Sequence, residues 1–114
     1  MEFVVEHVQD ADVVEIPVEE LDASNAAELK RDIGPIVETK RKLVLDLSRL
    51  RFVDSSGLGA FLSCLRRVNE RGGDLKLSNM SSSIRAVFEL VRMHRVFDIH
   101  PTREAAVHAF AAAA

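Results

Sequence analysis

The apolar positions of the chain fall into two kinds of segment, short runs rich in β-branched residues and longer stretches with helical spacing. FVVEHV and DVVEIPV are short runs separated by QDAD, which predicts two strands joined by a short turn. KLVLDL, residues 42–47, is a nearly continuous apolar run, as in strands buried on both faces, and this favours a central strand. DLKLS and RVFDIH predict two further short strands.

The longer stretches predict four helices. The first has a break at Gly34-Pro35, where we expect it to stop early or kink. The second has charged residues on its other face and ends at Gly72-Gly73. A third is expected after the cap residues Ser81 to Ser83, and a fourth from Pro101-Thr102 to Phe110. The apolar stripes of the first two helices are Ala26, Leu29, Ile33 and Val37, and Leu58, Phe61, Leu62, Leu65 and Val68.

The predicted order of elements is β-β-α-β-α-β-α-β-α. Strands that alternate with helices predict right-handed crossovers and a mainly parallel sheet with helices packed on it, and the hairpin at the start makes the sheet mixed. No repeat, low-complexity segment or linker divides the 114 residues. We therefore expect one α/β domain over residues 1–114, with the alanines at 111–114 as a frayed tail.

Composition and charge narrow the class of protein. With 47% hydrophobic and 29% charged residues, the chain can bury a core and remain soluble. Its lysines and arginines are spread along the chain, and a formal charge of −3 argues against a nucleic-acid or membrane partner. No signal peptide is recognisable and no apolar run approaches the roughly 20 residues of a transmembrane helix, so we expect a cytoplasmic protein. The single cysteine, Cys64, is expected to be a buried apolar side chain.

The segment DSSGLG, residues 54–59, places two hydroxyls where the predicted central strand gives way to the second helix. Ligands and partners of open α/β sheets bind at this edge, and a helix start presents unpaired N–H groups and the positive end of the helix dipole. A phosphate on Ser55 would be favourable there. The alternative is that Ser55 or Ser56 only caps the helix, which contributes about 1 kcal/mol.

Other chemistry has less support in the residues. Gly57 and Gly59 weaken a helix but leave the hydroxyls open to a large partner such as a kinase active site. A nucleotide-binding G-x-G-x-x-G does not fit because position 62 is leucine, and the G-x-S-x-G pattern of a serine hydrolase is absent. No two histidines have the i, i+4 spacing of a helical zinc site, so no metal is expected. Solvated imidazoles are expected at all four histidines, His7, His94, His100 and His108.

Residues 43–79, LVLDLSRLRFVDSSGLGAFLSCLRRVNERGGDLKLSN, resemble a STAS domain of the anti-sigma factor antagonist type. The segment has that family's order of a strand, an Asp-Ser-Ser/Thr-Gly-Leu-Gly loop, a helix, a glycine stop and a strand. Weaker matches at LDASNAAEL and VFELVRMHRVFDIHPTREAAVHAF extend the resemblance over almost the whole chain. The resemblance implies the STAS fold, with a mixed central β-sheet and α-helices.

The resemblance also implies a protein that switches partners and needs neither catalytic residues nor a cofactor. The first serine after the aspartate is the phosphoacceptor of the family, which corresponds to Ser55. The unphosphorylated antagonist binds an anti-sigma factor, a serine kinase of the GHKL type, and so frees the sigma factor. The kinase uses its own ATP to phosphorylate the antagonist and disable it, and a PP2C-type phosphatase restores it.

The expected partner-binding surface surrounds this serine. The family's acid at the end of the second strand corresponds to Asp22, which the resemblance puts close to the phosphorylation loop. Simple capping of the following helix is the alternative for Asp22. The other expected contact residues are Asp54, Ser56, Gly57, Leu58 and Gly59.

Two positions depart from the family pattern. The usual Gly-Glu-Leu-Asp before the first helix is here Glu19-Glu20-Leu21-Asp22, which keeps the acid and loses the glycine. The glycine expected near the end of the third helix is replaced around Arg92-Met93, so we expect a turn of different shape. The alternatives that stay open are a STAS phosphoswitch of another signalling or secretion-regulating assembly, and a small serine hydrolase.

Overall fold

The structure, a computed structural model, describes residues 1–112, and within them it contains seven strands, five α-helices and one 3-10 helix. The predicted order of elements is confirmed, with three additions: a pair of two-residue strands, the 3-10 helix, and a break that divides the first helix. In chain order the elements are β1 (Val5–Val8), β2 (Ala11–Glu15), β3 (Glu20–Leu21), α1 (Ala26–Asp32), α2 (Gly34–Val37), β4 (Lys42–Asp46), β5 (Phe52–Val53), α3 (Ser55–Asn69), β6 (Asp74–Ser78), α4 (Ser82–Leu90), the 3-10 helix (Met93–Arg95), β7 (Asp98–His100) and α5 (Arg103–Ala112).

Five of the strands form one mixed sheet in the order β1-β2-β4-β6-β7. β1 and β2 are antiparallel, and every other neighbouring pair is parallel, as predicted. The strand KLVLD occupies the centre of this sheet. Its Leu45 is opposite Val14 on one side and Leu77 on the other, and Leu77 is opposite Ile99. Because side chains alternate across a strand, this register sets one apolar row on a single face of the sheet.

The helices α1, α3 and α4 pack on that face and form the main core. Phe61 of α3 and Phe88 of α4 are fully buried there, with ring centroids 6.3 Å apart, and Phe97 meets Phe88 edge-on at 5.7 Å. Cys64 is buried in the same core, as predicted, and its burial raises the pKa of the thiol to about 11. The cysteine is therefore a packing residue, since its thiolate is scarcely populated near neutral pH.

The opposite face of the sheet carries α5. Ala106, Val107 and Phe110 of this helix pack against Val13 and Val44. The helix begins at Arg103, whose Nε lies 3.1 Å from Oδ2 of the buried Asp46 at the end of β4. α5 continues to Ala112, two residues past the predicted end, and the last two residues of the predicted frayed tail, 113 and 114, lie outside the described residues.

Two predicted irregularities have clear outcomes. α1 ends at Asp32 and α2 begins at Gly34 with Pro35 in its first turn, so the helix does stop early. At the second position, Arg92 has φ = 61°, the left-handed conformation that glycine adopts at least cost. The arginine therefore takes a conformation that a glycine would favour at this position.

Candidate functional site

The serine pair lies at the carboxyl edge of the main sheet, at the start of α3. The chain leaves β4 at Asp46 and forms β5, whose two residues pair in parallel with β3. Leu21 is opposite Val53 in this pair, and the N–H of Asp54 donates to the carbonyl oxygen of Leu21 at 3.2 Å. The pairing of β3 with β5 therefore holds the chain entering α1 beside the chain entering α3.

Asp54 caps α3, and neither serine does. Its backbone is extended, with φ −109° and ψ −171°, and its Oδ1 accepts a hydrogen bond from the N–H of Gly57 at 3.0 Å. Ser55 and Ser56 are the first two residues of the helix itself. The capping alternative for these serines is therefore wrong, because the preceding carboxylate has already taken that position.

Both serines are exposed at the end of the helix where partial positive charge accumulates. The N–H groups of a first helical turn have no acceptor within their own helix. Asp54 satisfies the N–H of Gly57 and leaves those of Ser55 and Ser56 directed out of the helix end. A group with several acceptor oxygens, attached to the Ser55 hydroxyl, would meet hydrogen-bond donors there.

The second carboxylate oxygen of Asp54 reaches across to the other loop. Its Oδ2 lies 3.3 Å from the N–H of Ala23, a residue 31 positions earlier in the chain. The same aspartate thus caps α3 through one oxygen and binds the Asp22 loop through the other. The structure brings together Asp22, Asp54, Ser55 and Ser56 at one edge, as the sequence predicted.

The side chain of Asp22 shapes the turn that leads into α1. Its Oδ1 accepts from the N–H of Ser24 at 2.9 Å and from the Ser24 hydroxyl at 2.5 Å. The Ser24 hydroxyl first, and its N–H second, hold the pKa of Asp22 below the usual value, so the group is a carboxylate at neutral pH. The N-cap position of α1 belongs to Asn25, so Asp22 has a turn-forming role and keeps its negative charge beside the serine loop.

Gly57 and Leu58 do not belong to the exposed surface on which the sequence placed them. The Leu58 side chain is 4% exposed and lies in the main core. A Cβ on Gly57 would lie 2.5 Å from the carbonyl oxygen of Leu21 and 2.7 Å from Cγ2 of Val53, so this glycine allows α3 to approach β3. We therefore correct both predicted contacts to packing roles, whereas Gly59 is exposed.

Phe52 is a surface residue beside the loop that the sequence reasoning missed. It is 51% exposed on β5, while its neighbour Val53 is buried. Side chains of adjacent strand residues point to opposite sides, so the sequence Phe52-Val53 already indicates that one of the two side chains is exposed when the other is buried. It was not recognised because a strand of two residues is too short to show a period.

The residues around the serines do not support the hydrolase alternative. Nδ1 of His7 lies 2.9 Å from Oδ1 of Asp12 on β2, and Nε2 of His100 lies 3.1 Å from Oδ1 of Asp98 on its own strand, β7. His94 and His100 are half-buried, which corrects the expectation of solvated rings at these two positions. Residues 1–112 contain no group of three side chains that could hold a metal ion, and no helix among them is long and apolar enough to cross a membrane.

Comparisons with known proteins agree with this geometry. Residues 2–106 match the family model of the STAS domain. The anti-sigma-B factor antagonist of Bacillus subtilis (strain 168) is 31% identical over 88 residues, which cover 77% of this chain and 81% of that relative.

Two solved structures of one protein, the anti-sigma factor antagonist SpoIIAA, are also similar. Its unphosphorylated form superposes with a TM-score of 0.67 at 25% identity, covering 96% of this chain and 97% of the other. Its phosphorylated form, described as a Bacillus cell fate determinant, gives a TM-score of 0.67 at 25% identity and covers 96% and 99%. The predicted fold class and the family resemblance are confirmed.

Proposed function

The chain belongs to the STAS domain family, and from that premise we propose that it is an anti-sigma factor antagonist whose binding is switched off by phosphorylation of Ser55. The observation that carries the proposal is the exposure of Ser55 at the first position of α3, while Asp54 supplies the cap. A hydroxyl that the fold does not need for capping is available to a partner. Relatives named as anti-sigma factor antagonists support the same partner class.

The switch follows from charge. A phosphate adds about −1.5 to −2 charges and three strong acceptor oxygens. The helix end stabilises this charge within the folded chain, whereas Asp22 and Asp54 already make the nearby surface negative. A partner that docks over the loop would meet repulsion and bury an imperfectly paired phosphate. A hundredfold loss of affinity requires only about 2.7 kcal/mol, so no change of fold is needed.

The partners proposed for this cycle are a GHKL-type serine kinase, which is the anti-sigma factor, and a PP2C-type phosphatase. The kinase transfers the γ-phosphoryl group of its bound ATP to Oγ of Ser55, the hydroxyl loses its proton, and ADP leaves. The phosphatase uses water to hydrolyse the phosphoserine ester, which restores the hydroxyl and releases inorganic phosphate. The chain itself contributes the acceptor and the binding surface, in the cytoplasm, and performs neither reaction.

The first test is affinity capture from lysate of the source cells without added ATP, with wild type, Ser55→Ala and Ser55→Asp as baits. Wild type and Ser55→Ala should retain a serine kinase identified by mass spectrometry. Calorimetry with the purified kinase should then give a Kd at least about 100-fold weaker for Ser55→Asp. Equal affinities for all three baits would show that the loop lies outside the interface.

A second measurement assigns the acceptor. With the purified kinase and ATP, phosphate should appear on Ser55 in wild type and in the control Ser56→Ala, and should be absent from Ser55→Ala. Phosphate on Ser56 after brief reaction would overturn the assignment. If a sigma factor copurifies with the kinase and is released when wild type is added, the chain acts as an anti-sigma factor antagonist. This outcome distinguishes that function from a role in another signalling or secretion assembly.

A further inference from the structure

The two outer strands of the five-stranded sheet, β1 and β7, differ in how well they are protected. β7 has three residues, and its Asp98 pairs with Lys76. Short outer strands and charged side chains prevent a further strand from adding to a sheet. β1 is longer, and β2 is the one strand paired with it among the residues that the structure describes. Its register runs over Val5–Val8 without a bulge, so β1 presents a row of backbone N–H and C=O groups to a further strand.

The side chains of β1 do not obstruct such a strand. FVVEHV contains neither lysine nor proline, the two residues that most often block strand addition. Val4, just before β1, is 82% exposed, and Val5 is 37% exposed. Oε2 of Glu6 lies 3.1 Å from Nη1 of Arg103, so the charge of this glutamate is already balanced within the chain. The outer side of β1 is therefore apolar at its start and carries no uncompensated glutamate.

The order of residues along β1 fits a second copy of the same strand. Two copies related by a two-fold axis pair antiparallel, and each presents the same surface to the other. When Val5 lies opposite Val5 of the second copy, Glu6 lies opposite Val4. His7 then lies opposite Phe3, and no like charges meet. A register with Glu6 opposite Glu6 would instead place equal charges side by side, which destabilises a sheet.

We propose that β1 is a self-association surface, through which two copies of the chain join their sheets with Val5 on the two-fold axis. The two five-stranded sheets become one continuous sheet, held by backbone hydrogen bonds and by contacts between the valines. One short strand from each copy makes a small interface, so the association is weak and depends on concentration. This surface uses none of the residues around Ser55, and its test requires no kinase.

Sedimentation velocity between about 10 μM and about 1 mM measures the association. The average mass of wild type should rise with concentration towards that of a dimer. Val5→Lys should weaken self-association about 10-fold or more, because two lysines would lie opposite each other. The matched control is Leu90→Lys, the same kind of change at a residue that is 83% exposed at the end of α4, and it should associate like wild type. Circular dichroism checks that each variant is folded.

A cysteine crosslink tests the register. Residues directly opposite each other in an antiparallel pair have Cα atoms about 4.5–5.5 Å apart, which is within the reach of a disulfide. Val5→Cys should therefore form a covalent dimer under mild oxidation, seen by non-reducing gel electrophoresis. The matched control is His7→Cys, because the two copies of position 7 would lie about 13 Å apart along the strands and should crosslink far less. Cys64 is buried and stays outside this reaction.

Several results would overturn the proposal. One is a wild type that stays monomeric up to about 1 mM, and another is a folded Val5→Lys that associates like wild type. Lost association in Leu90→Lys beside an unchanged Val5→Lys would place the contact at the end of α4 instead. Equal crosslinking of Val5→Cys and His7→Cys would refute the two-fold register. Val4→Lys, at the more exposed neighbouring position, replaces Val5→Lys if that variant does not fold.

Discussion

The two edges of the parallel sheet use their charged residues in different ways. At the carboxyl edge, the carboxylates of Asp22 and Asp54 accept hydrogen bonds from backbone N–H groups and from the Ser24 hydroxyl. At the amino edge, charged side chains pair with one another: Lys42 binds Asp10, and Lys76 binds Asp98.

The amino-edge pairs are part of the packing. Lys76 is 6% exposed, lies 3.4 Å from Asp74 and binds Asp98, and its Nζ is 4.6 Å from the ring centre of Phe110. Burial acts to lower the pKa of Lys76, but the hydrogen bonds and negative charges of Asp98 and Asp74 together outweigh burial, and the pKa is raised. The lysine therefore stays charged and joins two strands and α5.

This contrast identifies the charges that remain available to a partner. Opposite charges at the amino edge cancel within the fold, so that edge has a structural role. At the carboxyl edge Asp46 pairs with Arg103, but hydrogen bonds to neutral groups leave the charges of Asp22 and Asp54 uncancelled, and the Ser55 hydroxyl is exposed at the same edge. Substitutions at the amino edge should therefore change stability without changing partner binding, and those at the carboxyl edge should do the reverse.

The largest stability effect is expected for Gly73→Ala at the amino edge. A Cβ there would lie 2.7 Å from the carbonyl oxygen of Arg41 and 2.9 Å from Cγ1 of Val68, so backbone must move. We expect a loss of about 1–3 kcal/mol in the free energy of unfolding, measured by urea denaturation. Kinase affinity, measured by calorimetry well below Tm, should equal that of wild type. If Gly73→Ala has wild-type stability, or if the folded variant binds the kinase more weakly, the two edges do not have the separate roles proposed for them.

A moderate effect of the reverse kind is expected for Asp22→Asn. Asparagine can accept the same hydrogen bonds from Ser24 but carries no charge. We expect nearly unchanged Tm and a change of about 3- to 10-fold in kinase affinity or in the rate of Ser55 phosphorylation. The matched control is Asp10→Asn, which removes a charge at the amino edge and should leave kinase affinity and the rate of Ser55 phosphorylation unchanged. If Asp22→Asn binds and reacts like wild type, Asp22 serves only the turn.

The smallest effect concerns acid stability at the amino edge. Burial acts to raise the pKa of Asp98, but the contacts with Lys76 and His100 together outweigh burial, and the pKa lies below the ordinary value. The stabilisation is therefore present above about pH 3.9 and is lost as the pH falls through the lowered pKa of the folded state. In urea denaturation between about pH 5 and pH 3, Asp98→Asn should lose less stability than wild type. An identical pH dependence would show that the pair with Lys76 contributes nothing measurable.

Much of the fold could be predicted because its signals are local. The apolar run at residues 42–47 predicted the central strand, and the helical stripe beginning at Leu58 predicted α3. Gly34-Pro35 predicted the end of α1, since proline removes a backbone donor wherever it stands. The order of these elements was enough to predict a mixed sheet, because parallel strands need helical crossovers.

An acid, two serines and two glycines can be read after the central strand in the amino-acid sequence, but the role of each depends on contacts that exist only in the folded protein. Gly57 and Gly59 are both glycines and lie two positions apart. A Cβ at position 57 would overlap the carbonyl oxygen of Leu21, whereas one at position 59 would have open space, so the fold requires only the first glycine. Asp54 reaches Ala23, 31 residues away, through a pairing of two-residue strands that no periodicity could reveal. Hydrophobic periodicity and secondary-structure propensity depend on residues that are close in the chain. The space beside a glycine, the residue that caps a helix and the charge at a surface depend on groups that only folding brings together.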